Sequence, residues 1–204
     1  MRGLKTAAQR GTSLVEVLVT LVITSYGVLG LTGLMSSMHV FENEGFQRSQ
    51  ALVLLADMAE RISTANPQTA AAAAAYANAQ IAGLSSPAGT GDSQPPDCST
   101  LAAGGARDVC EWSNALKGAA EKLAGNRIGA MSAARGCIEL LTPPDPTSGV
   151  CTPATFRVSI AWQGLVDSSV PGNACGMNLY GKDSVRRVLA EQVTIGLPSC
   201  TVHN

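Results

Sequence analysis

Apolar and polar positions divide the chain into stretches with different periods. Residues 17–38, VLVTLVITSYGVLGLTGLMSSM, form a 22-residue run without a charged side chain. As a helix this run reaches about 33 Å, enough for a hydrocarbon core of about 30 Å. From His39 to Thr64 the pattern becomes amphipathic. Val40, Phe41, Leu52, Leu55, Met58, Ala59 and Ile62 supply an apolar stripe, and Glu44, Arg48, Asp57 and Arg61 a wet face. Asn66-Pro67 is a stop signal. The pattern predicts one helix from Thr12 to Thr64, its first half protruding and its second packing against a domain.

Beyond Pro67 the periods shorten. Ala70–Ala75 favours helix or a compliant linker, and residues 83–106 are loop-like through Gly, Pro and Ser. Trp112, Leu116, Ala119 and Leu123 recur at helical spacing, predicting a helix from Val109 to Ala124 with Trp112 as a core anchor. Cys137–Leu141 reads as a short strand, followed by a Pro-rich loop over 142–153. Phe156, Val158, Ile160 and Trp162 alternate with Arg157, Ser159, Ala161 and Gln163, as on a half-buried antiparallel strand. Val185, Leu189, Val193 and Ile195 supply a further strand. The expected fold is α+β: a long N-terminal helix packed on a small antiparallel sheet.

Charge sharpens the N-terminal reading. Arg2, Lys5 and Arg10 precede Glu16, and beyond Gly11 the chain carries 11 basic and 15 acidic residues, a balance of −4. Cations before the apolar run and none close behind it keep the leader cytoplasmic and send the remainder across. A domain of that charge offers no general attraction for nucleic acid. Glu16 stands at the start of the apolar run, where a carboxylate is costly unless paired or interfacial. Gly27, Gly30 and Gly33 share a spacing of three, which suits either close helix–helix approach or ordinary glycine tolerance in membrane helices.

Six cysteines, Cys98, Cys110, Cys137, Cys151, Cys175 and Cys200, all lie in the second half. Their even number and spread through loops predict up to three disulfides made in an oxidising compartment. The absence of a C-x2-C pair argues against zinc. Of the possible pairings, joining neighbours (Cys98–Cys110, Cys137–Cys151, Cys175–Cys200) closes the shortest loops. Asp92, Asp97, Asp108, Asp145 and Asp167 form no calcium-loop ladder. Nucleophile-elbow, phosphate-loop and H-E-x-x-H signatures are missing, so no cofactor and no catalysis are expected.

The stretch RGTSLVEVLVTLVITSYGVLGLTGLM resembles the leader and N-terminal helix of type IV pilins and of type II secretion pseudopilins. Within that superfamily it is most similar to the pilus modification (PilV) family of minor pilins. FRVSIAWQG (156–164) and RRVLAEQVTI (186–195) are similar to that family's terminal strand pair. The resemblance implies a leader of residues 1–11, cut between Gly11 and Thr12 by a prepilin peptidase that methylates the new terminus. Residues 12–66 then form the long helix, with its anchor at 14–38, and residues 67–204 an exported, disulfide-bonded domain. Glu16 becomes the fifth mature residue and pairs with the Thr12 amine of an adjacent subunit during assembly. Thr12 replaces the family's usual phenylalanine, and Gly33 stands where many major pilins have proline. The implied partners are inner-membrane lipid, other minor pilins, the major pilin and, in some systems, a tip adhesin. The implied location is a single-pass inner-membrane protein with a periplasmic domain, able to enter an extracellular pilus. Two further readings stay open: a type II secretion pseudopilin, and a membrane-tethered binding module.

Overall fold

The computed structural model describes residues 13–119, 122–123, 126–127 and 131–200. Among the described residues three α-helices, α1 (Leu14–Ala65), α2 (Ala70–Tyr76) and α3 (Gly105–Leu116), and a short 3-10 helix (Asp183–Val185) accompany six strands. The strands are β1 (Ala88–Gly89), β2 (Lys122–Leu123), β3 (Asn126–Arg127), β4 (Arg135–Thr142), β5 (Ala154–Gln163) and β6 (Arg186–Ile195). Four strands form an antiparallel sheet in the order β1-β4-β5-β6, and β2 pairs with β3 alone. The fold is therefore α+β, with one long apolar N-terminal helix and a small antiparallel sheet. The chain divides into two compact units, one ending at Asn43 and the other beginning at Glu44.

In the second unit the alternating pattern of β5 sends Phe156, Val158, Ile160 and Trp162 into one core. Ala51, Leu55, Met58 and Ile62 of α1 join them, spaced at three and four residues as one helix face requires. This face differs from the predicted stripe. Phe41 and Leu52 are exposed, and Ala51, a small side chain, occupies the buried line. α1 ends at Ala65, where Asn66 turns into the left-handed region (φ 47°), donates its N–H to the Ile62 carbonyl, and is followed by Pro67. The alanine run does form a helix, α2, capped by the Thr69 hydroxyl accepting from the Ala72 N–H.

α3 departs from the expected Val109–Ala124 span. It begins four residues earlier and stops at Leu116, where Gly118 (φ 78°) turns the chain. Lys122–Leu123 is strand, and Ala124 lies outside the described residues. Helical spacing at Ala119 and Leu123 was thus coincidental: the turn at Gly118 outweighs the helix propensity of the alanines after it. Trp112 is fully buried and donates its indole N–H to the Leu54 carbonyl at 2.8 Å, tying α3 to the C-terminal part of α1. A Cβ at Gly136 would overlap the Trp112 ring, so glycine is what lets the indole pack against β4.

The opposite sheet face is not simply wet. Ser159 and Ala161 are fully buried, because Cys137, Ala161, Cys175 and Tyr180 make a second, smaller core beneath the segment between β5 and β6. The predicted half-buried strand is therefore buried on both faces over part of its length.

All six cysteines are bonded, as Cys98–Cys110, Cys137–Cys175 and Cys151–Cys200. Neighbour pairing holds for the first and fails for the other two. Strand register explains the failure. Cys137 lies opposite Ser159 within the β4–β5 ladder, and Cys151 lies in the connection beyond its Thr142–Thr155 end. The sheet separates these two cysteines, and short loop closure cannot overcome a fixed ladder.

A candidate membrane and assembly helix

Residues Leu14–Asn43 of α1 contain no buried side chain among the described residues, although the segment is strongly apolar. Leu14, Val15, Ile23, Tyr26 and Leu29 are all more than 60% exposed. The helix is long and apolar enough to cross a membrane, with a mean hydropathy of 2.0 in its most apolar window. A folded domain in water rarely leaves a contiguous apolar patch beyond a few hundred Å2 uncovered. A helix with this surface suits an apolar surrounding such as lipid.

Most of its hydroxyls are satisfied within the helix itself. The hydroxyls of Thr20, Thr24, Ser25, Thr32 and Ser37 donate to carbonyls three or four residues earlier, at 2.7–3.3 Å. In hydrocarbon an unsatisfied hydroxyl costs several kcal/mol (about 2–7), and these back-bonds remove that cost. Gly27, Gly30 and Gly33 have open space where a Cβ would stand, so nothing within the chain requires glycine there. The helix begins with the Glu16 and Val17 N–H groups donating to the Ser13 carbonyl.

Glu16 lies in the first turn, where a carboxylate complements the exposed amides of the helix start. Its side chain makes no hydrogen bond or ion pair among the described residues. Gly11 and Thr12, the expected processing pair, lie outside the described residues. Glu16 is thus the one charged side chain on the helix before His39, and it retains its full capacity to accept.

In the second unit, charged residues act as ties. Glu44, predicted on the wet face, accepts from Arg187 at 3.2 Å and from the Leu165 N–H at 2.7 Å. Arg61 bonds Glu111 at 2.7 Å and Asp57 at 3.1 Å, joining α1 to α3. Burial disfavours the Arg61 cation, but Glu111 and Asp57 outweigh it and raise its pKa. Tyr76 donates a short hydrogen bond to Asp108, and burial together with that acceptor pushes the phenol pKa up. Arg186, with 1% of its surface exposed, is held by both oxygens of Asp183 and by the carbonyls of Pro171, Asn173 and Cys175. Sequence reading missed Arg186 and Glu44 as structural ties, since neither residue carries a local signal of burial.

The predicted acidic residues are spent on similar local work. Asp97 and Asp145 accept from the amides of Ser99 and Thr147, and Asp167 accepts from the Ser184 hydroxyl. Asp92 receives the Lys117 ammonium at 2.7 Å, the Ser113 hydroxyl and the Gly89 amide.

No protein-family model, no curated protein and no solved structure matches this chain.

Proposed function

We propose that the chain is a non-enzymatic minor pilin that primes or modifies type IV pilus assembly by inserting its N-terminal helix into a bundle of like helices. The reading rests on one observation: α1 exposes an uninterrupted apolar surface from Leu14 to Met38 that bears a single carboxylate, Glu16. A membrane anchor needs only the apolar part. The carboxylate gains a purpose once helices leave the lipid and pack together, because a neighbouring subunit's amine offsets its charge. Cleavage after Gly11 creates that amine at Thr12. The three disulfides fit a domain that folds outside the reducing cytoplasm. The other minor pilins, the major pilin, the prepilin peptidase and inner-membrane lipid are the partners this role requires.

Mass spectrometry of the intact protein, purified from membranes, tests the proposal. The expected mature chain starts at Thr12 with an added methyl group and lacks six hydrogens through disulfide formation. Gly11→Leu is expected to leave the longer precursor in the membrane. Normal mature protein from that variant, or a chain still starting at Met1 in the wild type, contradicts the processing on which the assembly role depends.

A further inference from the structure

The second unit contains a cavity of about 330 Å3 between the loops around β1 and the start of β4. This is the small end of the range for small-molecule sites, about 300–1,000 Å3, and suits one ring-sized ligand. One wall is Arg135, whose guanidinium carbon stands 4.8 Å from the centroid of the Tyr180 ring. Tyr180 is itself nearly buried and donates its hydroxyl to the Ala133 carbonyl at 3.1 Å. The Cys137–Cys175 bridge fixes the chain leading to it. The arginine is therefore positioned in advance by an anchored ring.

Arg135 has no carboxylate partner among the described residues; besides its contact with the Tyr180 side chain, its guanidinium donates a long hydrogen bond, 3.4 Å, to the Ala133 carbonyl. Arg61, Arg157, Arg186 and Arg187, by contrast, each pair with an acid. Asp92, the acid in the cavity lining, is already engaged by Lys117 and Ser113. Gly91 (φ +87°) brings the loop alongside as backbone; a Cβ there would stand 3.9 Å from Arg135 Nη2. The lining also includes Gln80, Ser85, Ser86 and Ser93 and the apolar side chains of Ile81 and Leu179. The side chains of those four polar residues make no hydrogen bond among the described residues.

We propose that this cavity binds a single acidic sugar ring of the hexuronate class. The Arg135 fork takes the carboxylate, the serine hydroxyls and Gln80 amide exchange hydrogen bonds with ring hydroxyls, and Ile81 and Leu179 cover a C–H face of the ring. A neutral sugar leaves the guanidinium unpaired, and a bare anion leaves the polar wall unused. The site lies wholly in the second unit and does not depend on the assembly role proposed for α1.

Ligand-observed NMR titration of the full chain in detergent, with glucuronate, glucose and inorganic phosphate as separate probes, tests this. Glucuronate is expected to bind at least about tenfold more tightly than either of the others, because a charge-assisted pair and the hydroxyl contacts are each worth that factor. Arg135→Gln is expected to weaken glucuronate by about tenfold or more, and Arg135→Lys by less, since it keeps the charge without the planar fork. Ser86→Leu changes an exposed side chain, narrows the cavity and is expected to weaken glucuronate while leaving the melting temperature unchanged. No glucuronate binding overturns the proposal, as does glucose or phosphate binding equally well. Unchanged affinity in Arg135→Gln or in Ser86→Leu overturns it too.

Discussion

Asp92 shows how a single side chain organises a loop that composition leaves shapeless. Burial opposes its ionisation, yet the Lys117 ammonium, the Ser113 hydroxyl and the Gly89 amide outweigh that and hold its pKa below the usual carboxylate range. A carboxyl depressed in the folded state stabilises the fold above its unfolded pKa of about 3.9 and loses that contribution as pH falls through the lower, folded value. Asp92→Asn is expected to cost about 1–3 kcal/mol near neutral pH, with the gap from wild type shrinking below about pH 4. Thermal unfolding followed by circular dichroism from pH 3 to 7 reads this; a pH-independent gap would show that the charge is irrelevant. At this scale the sequence was legible where size and period decide, as at Trp112, Phe156 and Ile160. It was illegible where charge is buried: Arg186 reads as a solvent-facing strand residue until the loop over 171–183 wraps it with carbonyls.

Elements were readable to the extent that their determinants are local. The alternation in β5 and the Asn66-Pro67 stop are local, and the structure has a strand and a helix end there. The start of α3 and the disulfide pairing depend on distant partners. α3 packs against α2, whose Ala75 carbonyl lies beside Gly105, and no window around Val109 contains that information. Cysteine pairing follows the β4–β5 register, which chain-length arguments ignore. Peptide mapping under non-reducing conditions is expected to recover Cys137 linked to Cys175 and Cys151 linked to Cys200. A Cys137–Cys151 peptide would contradict the ladder. Replacing Cys137 and Cys175 together by alanine is expected to cost about 2–5 kcal/mol in denaturant unfolding, since the bridge closes a long loop and sits in the smaller core.

For the whole molecule, apolar surface is distributed in two incompatible ways. From Glu44 onward much of it is gathered into cores that three disulfides and several charge ties secure; from Leu14 to Asn43 none of the side chains is buried. Folding explains the first arrangement; the second belongs to a helix long and apolar enough to cross a membrane. Under the proposed function, Glu16 in that segment carries the distinction between an anchor and an assembly device. In vivo photocross-linking from position 29, where Leu29 is 67% exposed, measures it directly when wild type, Glu16→Ala and Glu16→Asp are compared. Glu16 belongs to the first unit, and its side chain makes no hydrogen bond or ion pair among the described residues, so all three proteins are expected to accumulate in mature form in the inner membrane with the second unit folded. The account predicts abundant adducts to other anchored subunits for wild type, several-fold fewer for the alanine variant and intermediate recovery for aspartate. Equal adducts from Glu16→Ala would show that the carboxylate merely marks the membrane boundary, and would contradict the assembly role.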